Sequence, residues 1–97
     1  MIRSFGDIRT EDFFHGRSST QSRRIPSTVR TVAARKLDMV NAAIIYEDLR
    51  SPPGNRLERL RGEWPGYHSI RINQQWRIVF KCEDGAAEHV QIVDYHR

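Results

Sequence analysis

Apolar residues recur at helical spacing along the first half of the chain and at strand spacing along the second. Val29, Ala33, Leu37, Val40 and Ile44 fall at intervals of four, four, three and four, the stripe that buries one side of an amphipathic helix. Arg30, Arg35 and Asp38 fall off it. Pro26 suits the first turn of such a helix, where its missing N–H costs nothing. Asn41 marks either a kink or a fresh start before "AAIIYEDL", so one helix and two both stay open. "RSPPGN" ends the helical part, because consecutive prolines cannot continue a helix. Upstream, "IRSF" predicts a short edge strand. Thr10 is expected to cap a brief helix over "EDFFHG", with Gly16 as its terminator, and "RSSTQSRR" reads as a surface loop.

From "RLERL" onward the period falls to two, the repeat of a strand with one face buried. "YHSIRI" and "QWRIVFKC" alternate and are joined by a tight turn at "NQ". In the second, Trp76, Ile78, Phe80 and Cys82 share one face, and Arg77, Val79 and Lys81 the other. "RGEWPG" and "EDGAA" are turns, and "EHVQIVDY" is the last strand. A strand, then helices, then an antiparallel meander predicts an α+β domain with its helices on one face of a small sheet. Residues 1–97 are expected to form a single domain, large enough for a modest core.

Composition narrows the class. Cys82 is the only cysteine, which excludes an internal disulfide and a zinc site built from several thiolates. No apolar run is long enough to span a bilayer, and "MIRSFGDIRT" has no apolar signal-peptide region, so the expected place is the cytoplasm. The formal charge is +4, and it is uneven. Arg50 to Lys81 holds seven cations against two anions, a local net of 7 − 2 = +5. A basic segment of this kind suits a polyanion, most simply nucleic acid.

The sequence ends in "IVDYHR", an apolar run followed by acid, phenol, imidazole and guanidinium. Those are the groups needed to cut RNA without a metal. A base takes the 2′-hydroxyl proton, an acid protonates the departing 5′-oxygen, and cations stabilise the charge growing on phosphate. His96 titrates in the right range, Asp94 can orient it, and Tyr95 can stack on a base or donate to phosphate. Arg77 and Arg61 can hold the phosphate. Strict alternation places Asp94 and His96 on one strand face and Tyr95 on the other. Either the strand ends before Asp94, or the three do not share one site. The remaining histidines have plainer roles: His68 shares parity with Ile70 and Ile72, His15 sits where a helix dipole favours a cation, and His89 opens a strand. No histidine pair has metal-ligand spacing. Trp64 either folds back over the sheet or packs a partner, and Cys82 reads as an inert core thiol.

Three segments, "LRSPPGNRLERLRG", "GYHSIRINQQWRIVF" and "VDYH", closely resemble the HigB-type toxins, the plasmid-maintenance killer branch of the RelE/ParE toxin superfamily. "MIRSF" and the long helix fit as well, so the resemblance covers the whole chain. It implies the RelE-like fold, with helices packed on a mainly antiparallel sheet. It also implies the toxin of a type II toxin–antitoxin pair that enters the ribosome and cleaves mRNA without metal or cofactor. The implied partner is a helix-turn-helix antitoxin of the HigA kind, and operator DNA is met only through the complex. Carried over by motif, the implied site is Asp94, Tyr95, His96, Arg77 and Arg61, with Arg56, Arg59 and Lys81 along the RNA backbone. One position departs: many relatives carry histidine where this chain has Glu58, which leaves Glu58 as the candidate second acid or base. Two other readings stand beside the nuclease. One is a protein-binding inhibitor, as in gyrase-poisoning ParE relatives, and the other is a catalytically weak ribosome or RNA binder.

Overall fold

The computed structural model describes residues 1–95. Helix α1 spans Ile8–Phe14 and α2 spans Arg30–Ala42, and four strands follow: β1 (Glu58–Arg59), β2 (Tyr67–Arg71), β3 (Trp76–Glu83) and β4 (Ala86–Asp94). The strands form one antiparallel meander in the order β1-β2-β3-β4, which is the α+β arrangement expected from the periodicities. No helix among the described residues is long and apolar enough to cross a membrane.

The stripe on α2 packs as its spacing predicts. Val29, Ala33, Leu37 and Val40 are buried against Ile70, Ile78, Phe80, Val90 and Ile92 of the sheet. Ile44 does not follow them: the helix stops at Ala42, and Ile44 is 76% exposed. A short 3-10 turn, Tyr46–Arg50, takes up the chain again and sends Leu49 inward. The break near Asn41 therefore separates two helical pieces. Asn41 itself turns its side-chain oxygen to the N–H of Ile2 (2.9 Å). Lys36 is buried on α2, where it donates to the Arg71 carbonyl (2.6 Å) and so ties the helix to the end of β2.

The N-terminal segment runs parallel along the open edge of β4, through bridges at Ile2–Ala87 and Phe5–Val90. Gly6 lies so close to β4 that a Cβ there would sit 2.3 Å from the Gln91 side chain. Beyond Phe5 the edge is covered by α1. Thr10 was expected to cap this helix, but the cap is Asp7, whose carboxylate accepts from the Thr10 N–H (2.8 Å). Thr10 is fully buried one turn in, and its hydroxyl accepts from the Ile92 N–H (3.0 Å), while Arg9 donates to the Ile92 carbonyl. Two helix side chains thus satisfy a strand edge that would otherwise be open to pairing with another chain.

The "NQ" connection is longer than two residues. Arg71 pairs with Arg77, and Asn73 closes the turn by accepting from the N–H groups of Gln75 (2.8 Å) and Trp76 (2.7 Å). Strand β4 carries a bulge: Val79 faces Gln91, whereas Lys81 faces Glu88. The extra residue falls at His89, whose φ of 55° is left-handed and whose N–H donates to Ser4 Oγ (2.9 Å). The bulge switches the phase of the strand, so that Ala87, Val90 and Ile92 all reach the core. On the helix-covered face His68 lies between Tyr46 (ring centroids 4.3 Å apart) and Phe80 (6.2 Å), with a buried Nδ1 that has no hydrogen-bond partner among the described residues.

Two consequences can be measured. Thr10→Val keeps the shape but removes the acceptor for the Ile92 N–H, and it should lower stability to urea by about 1–3 kcal/mol; an unchanged midpoint would mean that this bond contributes nothing. Burial, reinforced by Arg59, depresses the His68 pKa below its ordinary 6.5. The unfolded chain then binds the proton more readily than the folded one, so His68 favours folding above that value and disfavours it as the pH falls below. Urea midpoints should fall on acidification from neutral, and His68→Phe should flatten part of that slope.

Candidate functional site

Cross-strand partners point to the same side of a sheet, and here the register puts one polar constellation on the face away from α2. Glu58 pairs with Ser69, Ser69 with Val79, and Val79 with Gln91. Arg77 is one step along β3 on that face. Its Nη2 donates to Glu58 Oε1 (3.0 Å), while Nη1 donates to Ser69 Oγ (2.7 Å) and to the Arg56 carbonyl (3.4 Å). The Tyr95 ring lies 5.7 Å from the guanidinium carbon. The Arg77 side chain is only 11% exposed, against 36% for Glu58. The three other strands of the meander, or residues just beyond their ends, therefore hold the guanidinium of β3 in a fixed orientation.

Local sequence explains each position. Arg56 takes a left-handed conformation (φ 45°) after the Pro53–Asn55 turn, which aims its carbonyl at Arg77. Buried Asn55 anchors that turn by donating to the carbonyl of Leu49 (3.1 Å). Ser69 is fully buried on the outer face, where a small hydroxyl leaves room for the arginine. Tyr95 owes its side to the bulge at His89: with the phase switched, Asp94 faces Trp76, and the next residue turns toward Arg77.

The expected site residues divide accordingly. Arg77, Glu58 and Tyr95 come together. Asp94 does not join them, because β4 continues through it and alternation sends its side chain to the opposite face, where it accepts from Gln75 Nε2 (2.9 Å). His96 lies outside the described residues. Arg61 stands exposed beyond β1, and the Arg56 side chain is exposed at its turn. Arg59 was expected to share the RNA surface with them, but it pairs with His68 and so points to the helix side of the sheet. Lys81 shares the Arg77 face about 13 Å along β3. Its ammonium lies over the Tyr67 ring (5.2 Å), which in turn meets Trp64 edge-on (5.0 Å), so Trp64 folds back over the sheet. Cys82 lies on the helix side, and burial pushes its thiol pKa up.

Arg71 was counted only as charge, yet it stands directly across from Arg77. Alternation within "YHSIRI" fixes its parity, but only the length of the Asn73 turn decides which residue it faces. Two guanidiniums on one sheet face, with a carboxylate beside them, can clamp a phosphodiester and accept a proton from a hydroxyl next to it. Among the described residues there is no group of three or more His, Cys, Asp or Glu side chains that could hold a metal ion.

Known proteins resemble this chain in sequence and in architecture. The family model for the HigB-like toxin, described as the RelE-like toxin of type II toxin–antitoxin system HigB, matches residues 3–96. Toxin HigB-1 of Vibrio cholerae serotype O1 is 41% identical over 87 residues, covering 90% of each chain. Endoribonuclease HigB of Proteus vulgaris is 31% identical over 71 residues, covering 67% of this chain and 77% of its own. In three dimensions the fold is similar to a chain of the YoeB-YefM complex from Staphylococcus aureus, with a TM-score of 0.59 at 16% identity, over 100% of this chain and 99% of that one.

If the Arg77–Glu58 pair holds the strands as its geometry indicates, a double-mutant cycle of Arg77→Gln and Glu58→Gln in urea should give a coupling of roughly 1 kcal/mol, a partly exposed pair being screened by solvent. The coupling should shrink in high salt. Strict additivity would show that the contact does not contribute.

Proposed function

Because the chain belongs to the HigB-like toxins of type II toxin–antitoxin systems, we propose that it is an endoribonuclease that cuts mRNA on the ribosome and is neutralised by a helix-turn-helix antitoxin. The observation that carries this reading is the largely buried, multiply held guanidinium of Arg77, with Glu58 and Tyr95 beside it on the outer face of the sheet.

The chemistry follows from those groups. The scissile phosphate docks against Arg77, with Arg71 adding a second cation, and the fixed guanidinium needs little reorganisation as charge develops on phosphorus. An incoming phosphate competes with Glu58 for Arg77, and the released carboxylate takes the 2′-hydroxyl proton. The 2′-oxygen attacks phosphorus, the bond to the 5′-oxygen breaks, and the products are a 2′,3′-cyclic phosphate and a 5′-hydroxyl. The leaving oxygen needs a proton, which His96 supplies in keeping with its intrinsic pKa. Tyr95, stacked on the guanidinium, positions Arg77 and the nucleotide next to it. Asp94, braced on Gln75, supports the end of the strand. Arg61 and the Arg56 side chain line the approach to the site and meet the flanking phosphates. With so few acid–base groups, the enzyme relies on the ribosome to present the messenger in a reactive geometry.

Mapping transcript 5′ ends in translating cells tests the reading. Wild type should generate new ends within open reading frames, and Arg77→Ala should lose them by ~10²–10³-fold while remaining folded and bound to antitoxin. Equal cleavage by Arg77→Ala would refute the site. Growth arrest by wild type with no new ends would favour an inhibitor that binds without cutting.

A further inference from the structure

On the Arg77 face of the sheet, two aromatic rings and an ammonium form a second group that the chemistry at Arg77 leaves unused. Tyr67 and Lys81 are cross-strand partners, so both point outward with Ser69 and Arg77. The Lys81 ammonium lies over the Tyr67 ring, and Trp64 meets that ring edge-on. The lysine stem reaches across to Gly66, where a Cβ would touch Lys81 Cε at 4.0 Å.

The loop 61–66 presets this arrangement. The Leu60 N–H donates to the Tyr67 carbonyl (2.8 Å) and closes the loop. Inside it the Trp64 N–H donates to the Arg61 carbonyl (3.4 Å), and the Tyr67 N–H to the Trp64 carbonyl (3.2 Å). Gly62 (φ 68°) and Gly66 (φ 80°) supply the left-handed turns on either side of Trp64. The loop thus carries Arg61 and Trp64 as one unit. Tyr67 occupies at most one of the two faces of the indole, and among the described residues no other aromatic ring or cation lies on it. Trp64 is only half-buried.

Charge indicates what the rings are open to. Arg71, Arg77 and Lys81 lie along this face, with Arg61 exposed on the loop. Two of the nearby acids are already engaged: Glu58 with Arg77, and Glu88, across from Lys81, with Arg3 (3.8 Å). The third, Glu63, is exposed to solvent. Aromatic faces interleaved with cations hold single-stranded nucleic acid by stacking a base and meeting its phosphate. Lys81 is about 13 Å along β3 from Arg77, so the nucleotide it meets is a neighbour of the one cut at Arg77.

We propose that Trp64 and Lys81 form a base-stacking subsite for the messenger: a nucleobase flanking the cleavage point stacks on the free face of the Trp64 indole, and its phosphate meets Lys81. A ring-on-ring contact reads surface area and not hydrogen-bonding edges, so the subsite favours a purine over a pyrimidine. The inference rests on the nuclease reading above and adds to it a specificity-determining residue outside the reacting groups.

The test has two arms. In the first, a short RNA made uncleavable by 2′-O-methylation is titrated at low salt, where phosphate contacts are strongest. Trp76→Phe leaves Trp64 as the sole tryptophan, and its emission should be quenched as the RNA binds. Trp64→Ala should weaken binding roughly five- to a hundredfold, the range for losing one stacked base, and Trp64→Phe should restore most of it. Lys81→Gln should lower the slope of affinity against salt by about one. Unquenched emission, or Trp64→Ala binding as wild type does, would overturn the proposal. So would Trp64→Phe binding as weakly as Trp64→Ala with an unchanged urea midpoint, since any planar ring should serve.

In the second arm, transcript ends are mapped in translating cells. Wild type should cut with a purine enriched at one fixed offset from the break, and Trp64→Ala should flatten that offset alone. A uniform loss of cleavage with an unchanged base profile would assign the rings to ribosomal RNA and overturn the proposal. A wild type that makes no new ends defeats the nuclease reading, and quenching and affinity then decide separately whether Trp64 stacks on RNA.

Discussion

A guanidinium that is nine-tenths out of solvent must have its charge and its donors met by protein. Arg77, on β3, meets that condition with groups from the other three strands or beside them: Glu58 and the Arg56 carbonyl at β1, Ser69 on β2, and the Tyr95 ring past the end of β4. Removing a partner would leave donors of this largely buried guanidinium unmet. The register of the meander is therefore tied to the site. Slipping β2 by one residue would turn Ser69 inward and leave Arg77 facing an apolar side chain, because the side-chain period of a strand is two. The same contacts that hold the sheet in register hold the Arg77 guanidinium still.

The sheet divides the work between its faces. The inner face carries the apolar contacts with α2, where most of the folding free energy arises. The outer face is left to polar groups, although its centre at Ser69 and Val79 is fully buried. Cations gather there at Arg71, Arg77 and Lys81, while Ile44 and Ile45 stand exposed beyond the helix on the other side of the sheet.

The bulge at His89 links these features. Without the extra residue, β4 would keep one phase, and the strand could not bury both Ala87 and Val90. It would also end with Tyr95 on the wrong side for Arg77. The left-handed backbone there is supported by Ser4, so the N-terminal segment takes part in setting the phase of β4. Thr10 and Arg9 then finish the same edge by satisfying Ile92.

Local pattern was enough to specify the α2 stripe through Val40, the succession of strands, the inward face of β3 and the basic character of the segment from Arg50 to Lys81. Each is a matter of side-chain period or composition, which neighbouring residues determine among themselves. It was also enough to place Arg77 on the polar face and to set Asp94 and Tyr95 on opposite faces. Tertiary structure alone decided that Thr10 serves β4 instead of capping its helix, and that Ile44 leaves the stripe. It likewise decided that Arg59 turns toward His68 while Arg71 turns toward Arg77. Those outcomes depend on register, on a bulge and on which backbone groups remain unpaired. All three are set by contacts between residues far apart in the chain, which a local period does not encode.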